Sequence, residues 1–527
     1  MTVGIVLTVL APNLVILLQF FTETADQWAH VRQYLLPDLL KNTGLLLFFT
    51  GSATILIGTS LAWLVTAYSF PGKRFFKWGL ILPLAIPPYI AGYTYHGMFN
   101  YTGAIPQLFR DTFGWDITID ILNLPGATSI FTLFLFPYVY TMTQTYLETQ
   151  SASLIENARI LGKSGKDIYI QVVLPISRGV IIGGTSLVLL EVLNDYGVVQ
   201  YFGVPTFTTA IFQTWFGMND LASAIKLSAT VMFIIALLLI GERLLRGRKQ
   251  YSHTTSRVHP LQSKPLTGVK KWSVFTYCFI VFSLGFLIPV AQLFSWMILT
   301  YDKVIDAEFW SLVLNSLIAA TSGAAMIMIG ALIIANFTRM NKSLPAKALS
   351  KMTILGYSIP GAVIAVGISS VFIYIDNLLA AVYDYFQAES TLFLSTSLLI
   401  LIMAYAIRFL AIGFNAVEAE FEKTNKNYHD ASRLLGKGSK VTFFKVDLPM
   451  VKGAVISGFI LSFIEILKEL PLTLILRPFN FDTLSTKAYQ YASDEQIQEA
   501  ALPSLLIVIL SALAIYVFYY VLKKERT

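Results

Sequence analysis

Four carboxylates interrupt stretches that are otherwise apolar: Glu191 and Asp195 within 179–201, and Glu465 and Glu469 within 453–476. Within each pair the spacing is i, i+4, which puts both side chains on one face of a helix. An ionisable group at membrane depth is costly, and it marks either a functional site or a paired interior. The chemistry open to four carboxyls is an oxygen-rich translocation path for a hard cation, because such ions take carboxylate oxygens ahead of sulfur or imidazole. Any metal contact at Glu191, Asp195, Glu465 and Glu469 is then expected to be transient. The alternative is that Lys468 and Arg408 neutralise these acids, as packing ion pairs or as part of a periplasmic gate.

Other chemistry is poorly served. The five histidines (His30, His96, His253, His259 and His429) are scattered without ligand spacing, and the one cysteine, Cys278, forms neither an intrachain disulfide nor a metal cluster. Gly162-Lys163-Ser164 resembles the end of a phosphate-binding loop, but position 157 is Asn where the first Gly belongs, and the segment follows a helix instead of a strand. ATP hydrolysis is therefore expected on another polypeptide. No catalytic residue and no cofactor bound by this chain is expected.

The elements that carry the four acids follow from composition. The 527 residues are 55% hydrophobic and only 13% charged, with a mean hydropathy of +0.66, against about a quarter charged in soluble proteins. No soluble-looking block of useful length is present, so the fold class is an all-α polytopic membrane protein. Spans of about 20 apolar residues are expected near 3–21, 43–68, 78–99, 127–147, 179–201, 223–241, 272–299, 311–337, 352–375, 392–414, 453–476 and 501–522. The first lacks a basic leading segment and a small-residue cleavage site, so it reads as a retained helix. About three quarters of the 38 Lys and Arg fall in alternate loops and at the C-terminus. The positive-inside rule then puts those loops and both termini in the cytoplasm. The net charge of +7 is accounted for in the same way and calls for no nucleic-acid partner.

A shift of 273–274 residues brings the chain into register with itself. Asn42 falls on Asn315, Pro87 on Pro360, and ENARILGKSGKDIYIQVVLP (156–175) lies without gaps on DASRLLGKGSKVTFFKVDLP (430–449). Glu191 and Asp195 fall on Glu465 and Glu469. The halves, 1–241 and 272–527, carry six spans each with one polarity, a parallel repeat whose axis runs along the membrane normal. A basic cytoplasmic linker, 242–271, joins them. The four acids are expected to converge near that axis, roughly 18–26 Å above the cytoplasmic ends of their helices at 1.5 Å per residue. Pro87-Pro88 and Pro360 interrupt the third and ninth spans at matched positions, either beside the path or as tolerated kinks.

Between the fourth and fifth spans of each half lies a polar loop, about 150–178 and 416–452, that begins with capping-box chemistry at Ser153-x-x-Glu156 and Asn427-x-x-Asp430. Gly162 and Gly436 supply the turn that ends each loop helix. These loops resemble the E-A-A-x3-G-x9-I-x-L-P segment of ABC-importer permeases. Glu156, Ala158, Gly162, Leu174 and Pro175 fit, with Asn157 and Val172 departing; Asp430, Ala431, Gly436, Leu448 and Pro449 fit in the second copy, with Asp for Glu and Ser432 for Ala. The resemblance implies a coupling helix that docks on an ATPase subunit, the contact carried by Glu156, Ala158, Arg159, Gly162 and Lys163 with Asp430, Arg433, Gly436 and Lys437. It implies two copies of that cytoplasmic ATPase, which hold ATP and Mg, and a periplasmic or lipid-anchored substrate-binding protein, at a bacterial inner membrane.

Fused permeases with two such loops resemble the iron(III) import group, and segments 201–220 and 469–495 resemble ferric permeases specifically. Thiamine or another small solute is the alternative substrate within the class. A proton-driven secondary transporter is a further alternative, but Ser69–Lys77 lacks the acid of the G-x-x-x-D-R pattern that such a family carries, and it leaves the paired loops unexplained.

Overall fold

The computed structural model describes residues 2–22, 28–149, 153–246, 261–341, 343–385, 392–424 and 427–526. Their regular elements are helices apart from two short strands. Each expected span is built mainly from helix, because runs of some 20 apolar residues satisfy their backbone groups internally in that form. Eight of the helices among the described residues are long and apolar enough to cross a membrane, and ten are if two bent pairs count as one span each. The fourth expected span is the helix Leu124–Thr149, whose threonines, tyrosines and Pro137 dilute its apolar character. The twelfth is the helix Ala501–Arg526, apolar over Ala501–Val517 among the residues described with side chains.

The third, fifth, ninth and eleventh spans are not the continuous helices that apolar runs suggest. The third is bent by 90° between Lys73–Ala85 and Pro88–Phe113, where Pro87 adopts an extended conformation. The ninth starts afresh at Gly361, after Pro360. The fifth stops at Asn194 and resumes as Gly197–Tyr201. The eleventh stops at Lys468 and resumes as Pro471–Leu476. Pro471 explains the second of these breaks, since a proline cannot continue a helix but suits the first turn of a new one. In the first half no proline stands there. Its break is held by Asp195, whose Oδ1 accepts the Val198 N–H at 2.7 Å.

The two sequence halves interlock in space. The first-span helix (Thr2–Thr22) packs on Leu221–Arg246 of its own half and on Gly361–Tyr385 of the other. Correspondingly, the seventh-span segment Ile288–Val304 packs on Ala501–Arg526 of its own half and on Pro88–Phe99 of the other. Small residues admit these crossings: a Cβ on Gly367 would lie 2.7 Å from the Pro12 carbonyl oxygen, and one on Gly97 would lie 2.6 Å from the Trp296 ring. One apolar cluster accordingly mixes Val9 and Ile16 with Ala362, Val363 and Ile466.

In the linker, β2 (Lys264–Pro265) pairs in parallel with β1 (Tyr68–Ser69) at the end of the second span. Residues 247–260 of the expected linker lie outside the described residues.

Candidate functional site: an acid-lined cavity and two loop helices

Glu191, Asp195, Glu465 and Glu469 line one cavity of about 100 Å3, together with Pro87, Pro88, Tyr138, Asn194, Tyr357, Arg408 and Lys468. Such a volume holds only a few waters. The breaks in the fifth and eleventh helices create this placement. Asp195 and Glu469 are the residues at which those helices end, both in extended conformation, so neither continues the helix face of its partner four residues earlier. Each turns instead to the start of the following short helix. Glu469 Oε2 accepts from Leu472 N at 3.1 Å, as Asp195 does from Val198 N, an anion at a helix start. Backbone carbonyls at the breaks are served in matched fashion: Thr208 Oγ1 donates to Asp195 O at 2.7 Å and Ser485 Oγ to Glu469 O at 2.9 Å.

The four acids differ in company. Arg408 Nη1 lies 2.5 Å from Glu469 Oε1, both side chains buried. Lys468 Nζ lies 2.9 Å from Glu465 Oε1. Glu191 accepts from the Tyr357 hydroxyl at 3.2 Å. Both cations come from the second half. The shift of 274 puts Phe134 where Arg408 stands (408 − 274) and Asn194 where Lys468 stands (468 − 274). Four carboxyls thus face two cations, and the first-half pair has no basic residue at the equivalent positions. Gly361 makes room for the arrangement, since a Cβ there would lie 2.0 Å from Arg408 Nη1 and 2.8 Å from Glu469 Oε1.

These four are not the only acids inside the helical body. Asp376, expected in a loop, lies fully buried within Gly361–Tyr385 and accepts from Leu394 N and Ser395 N at 3.0 and 2.8 Å. Asp447, also expected in a loop, is fully buried and lies 2.8 Å from Arg339 and 2.7 Å from His429 Nδ1.

The loop helices are Ser153–Ile160 and Asn427–Leu434. Ser153 and Asn427 already belong to the helices, and the Ser153 side chain lies outside the described residues. Gly162 (φ 77°) and Gly436 (φ 81°) end them in the left-handed region, which favours glycine. Lys163 N bonds to Ala158 O at 3.1 Å and Lys437 N to Ser432 O at 3.2 Å, closing both turns alike. The residues singled out in the sequence do not share one face. Gly162, Lys163, Asp430, Arg433, Gly436 and Lys437 are exposed, Glu156 is half-buried, and Ala158 is buried. Arg159 turns inward, its Nη1 donating to Gln262 O at 3.2 Å and its Nη2 to Ala67 O at 3.4 Å, whereas Arg433 donates to Lys437 O at 2.9 Å.

Sequence reasoning missed the apolar residues that point outward. Ile160 and Leu161 are 82% and 79% exposed, and their counterparts Leu434 and Leu435 are 89% and 80% exposed. The repeated aliphatic pair just before each glycine was the signal. The supports beneath the helices also differ. The first rests on an apolar cluster containing Leu147, Ile155 and Val173. The same positions in the second half are Phe421, His429 and Asp447, where Arg339 also lies over the Phe421 ring at 4.6 Å.

A duplicated bundle with broken helices around a polar cavity between its halves, and a matched pair of outward-facing loop helices at one end, defines a multi-pass membrane transport subunit. The chain belongs to the binding-protein-dependent transport system inner membrane component family, which matches residues 54–247 and 327–526. It is 28% identical over 485 residues to a Fe(3+)-transport system permease protein of Haemophilus influenzae, covering 91% of this chain and 89% of that one. It is 21% identical over 505 residues to a ferric transport system permease protein of Actinobacillus pleuropneumoniae, covering 91% and 70%. A sulfate transport system permease protein of Salmonella typhimurium shares 28% identity over 177 residues, 34% of this chain and 62% of that one. The chain is the permease of an ABC-type importer.

Proposed function

We propose that this permease moves ferric iron across the bacterial inner membrane, with both termini in the cytoplasm. Two copies of a cytoplasmic ATPase subunit, which hold ATP and Mg, drive it through the helices Ser153–Ile160 and Asn427–Leu434, and a periplasmic or lipid-anchored binding protein delivers the ion. The halves are read as 1–241 and 272–527, joined through 242–271. The observation that carries the substrate reading is the shared cavity in which carboxyls outnumber cations four to two. A hard cation losing hydration is offset by such a wall, whereas a sulfate dianion would meet net repulsion. The names of the two relatives that span most of the chain agree with this reading.

In this reading the ion contacts Glu191 and Asp195 first, and the Arg408–Glu469 and Lys468–Glu465 pairs close the path until the halves move. The test is to purify the chain with its co-expressed ATPase in lipid and add binding proteins loaded with ferric ion or with thiamine. Stimulation of ATP turnover by the ferric form alone is expected. Stimulation by the thiamine form alone would overturn the substrate.

A further inference from the structure

A second cavity, of about 760 Å3, opens at the coupling-helix end of the first half. Arg159, Lys163, Lys166, Lys264 and Lys270 line it, and no Asp or Glu does. Among the described residues none of the four lysines lies in an ion pair, although surface lysines elsewhere, such as Lys77 and Lys487, do. Gathering like charges around a concave space raises the local potential by mutual repulsion, which an anion of more than one charge relieves. Phosphate oxygens suit these donors.

Three separate pieces of chain build the cavity. They are the end of the second span with Trp63 and Tyr68, the first coupling loop with Tyr169, and the linker from Lys264 into the seventh-span helix. The linker is held there by the β1–β2 pairing, by Leu266 N bonding to Ser69 O at 3.0 Å, and by Arg159 on Gln262 O. Beside Lys270, Val269 and Trp272 stand exposed at the start of the helix Gly268–Phe282. An exposed Trp at the end of a membrane helix sits at headgroup depth, so the mouth of the cavity lies where lipid phosphates are. Basic pockets between membrane helices recognise anionic headgroups in this way.

We propose that this cavity binds the phosphate groups of an anionic phospholipid headgroup, one lipid per chain, and that the lipid fastens the linker strand to the first coupling helix. Among the described residues the only strand pairing is β1 with β2 beside the first loop helix, so the lipid is expected to act there.

The test uses the purified full chain, stripped of lipid in detergent, with native mass spectrometry after adding phosphatidylglycerol, cardiolipin or zwitterionic phosphatidylethanolamine. Retention of one anionic lipid in at least tenfold preference to phosphatidylethanolamine is expected. The variant Lys166→Gln/Lys264→Gln/Lys270→Gln should lose that retention tenfold, while Lys440→Gln/Lys445→Gln/Lys452→Gln, with the same change in charge, should keep it. Bound lipid should also slow amide exchange at Leu266. Equal retention of zwitterionic lipid by the unaltered chain overturns the proposal whether or not the variants fold. Unchanged exchange at Leu266 with lipid bound overturns the location, and displacement of the lipid by inorganic phosphate would assign the site to a soluble anion instead.

Discussion

Arg408 and Glu469 stand 61 positions apart in the chain and meet at 2.5 Å between the tenth and eleventh spans, directly over Gly361. The pair belongs to one half only, because Phe134 occupies the place of Arg408 in the other. Removing one partner from a buried ion pair costs about 3–5 kcal/mol, since the remaining charge is stranded. Arg408→Leu should therefore lower the melting temperature of the detergent-solubilised chain, and Arg408→Leu/Glu469→Gln should recover much of the loss. A double variant no better than the single one would show that the pair is not coupled. Gly361→Ala should act in the same direction as Arg408→Leu.

Among the described residues no basic side chain lies within ion-pair distance of Glu191 or Asp195, so amides there remove charge from the cavity without breaking an ion pair. Glu191→Gln and Asp195→Asn should leave yield and melting temperature close to those of the unaltered chain and reduce ferric uptake about tenfold or more, with ATP turnover still responsive to the loaded binding protein. Glu465→Gln and Glu469→Gln, in contrast, should lower thermal stability as well as uptake. Normal uptake in the quadruple amide variant would remove the path assignment.

If the loop helices Ser153–Ile160 and Asn427–Leu434 dock on the ATPase as proposed, the exposed aliphatic pairs beside them are expected to outweigh the charges. Burying a Leu or Ile side chain is worth about 1.5–3 kcal/mol, so Ile160→Ser/Leu161→Ser and Leu434→Ser/Leu435→Ser should each weaken ATPase association at least tenfold, measured by co-purification across a dilution series. Arg159→Glu should loosen the linker, exposing the segment near Gln262 to protease. Arg433→Glu, on an exposed face, should act on ATPase binding alone. Intact association in both serine variants would place the docking face elsewhere.

Beneath the second loop helix, Asn427–Leu434, Asp447 joins Arg339 and His429. Asp447→Ala removes the carboxylate from both at once and should destabilise that region by about 3–5 kcal/mol. Hydrogen exchange should accelerate over 427–447 and stay unchanged over 153–173, whose support is apolar. Equal acceleration in both segments would mean that the two loops are not independently held.

The sequence by itself determined the helical membrane class, the doubled plan, the polar loop helices and the four acids of the cavity, because each rests on local composition, on short-range periodicity or on a gapless repeat. Proline marked the breaks at Pro87 and Pro360, but 179–201 and 453–476 read as continuous spans: Pro471 opens the second half's break, and at Asp195 a side chain folding back onto Val198 N does the same work. Only the tertiary structure decided which acids are neutralised, since Arg408 reaches Glu469 by the packing of two helices far apart in sequence. It also decided that Asp447 and Asp376 are interior, that Arg159 grips the linker, and that Ile160, Leu161, Leu434 and Leu435 face outward. Repetition in sequence implies equivalent places. The physical reason it could not assign equivalent roles is that charge pairing and burial depend on neighbours, and those neighbours, Phe134 against Arg408 and Val173 against Asp447, differ between the halves.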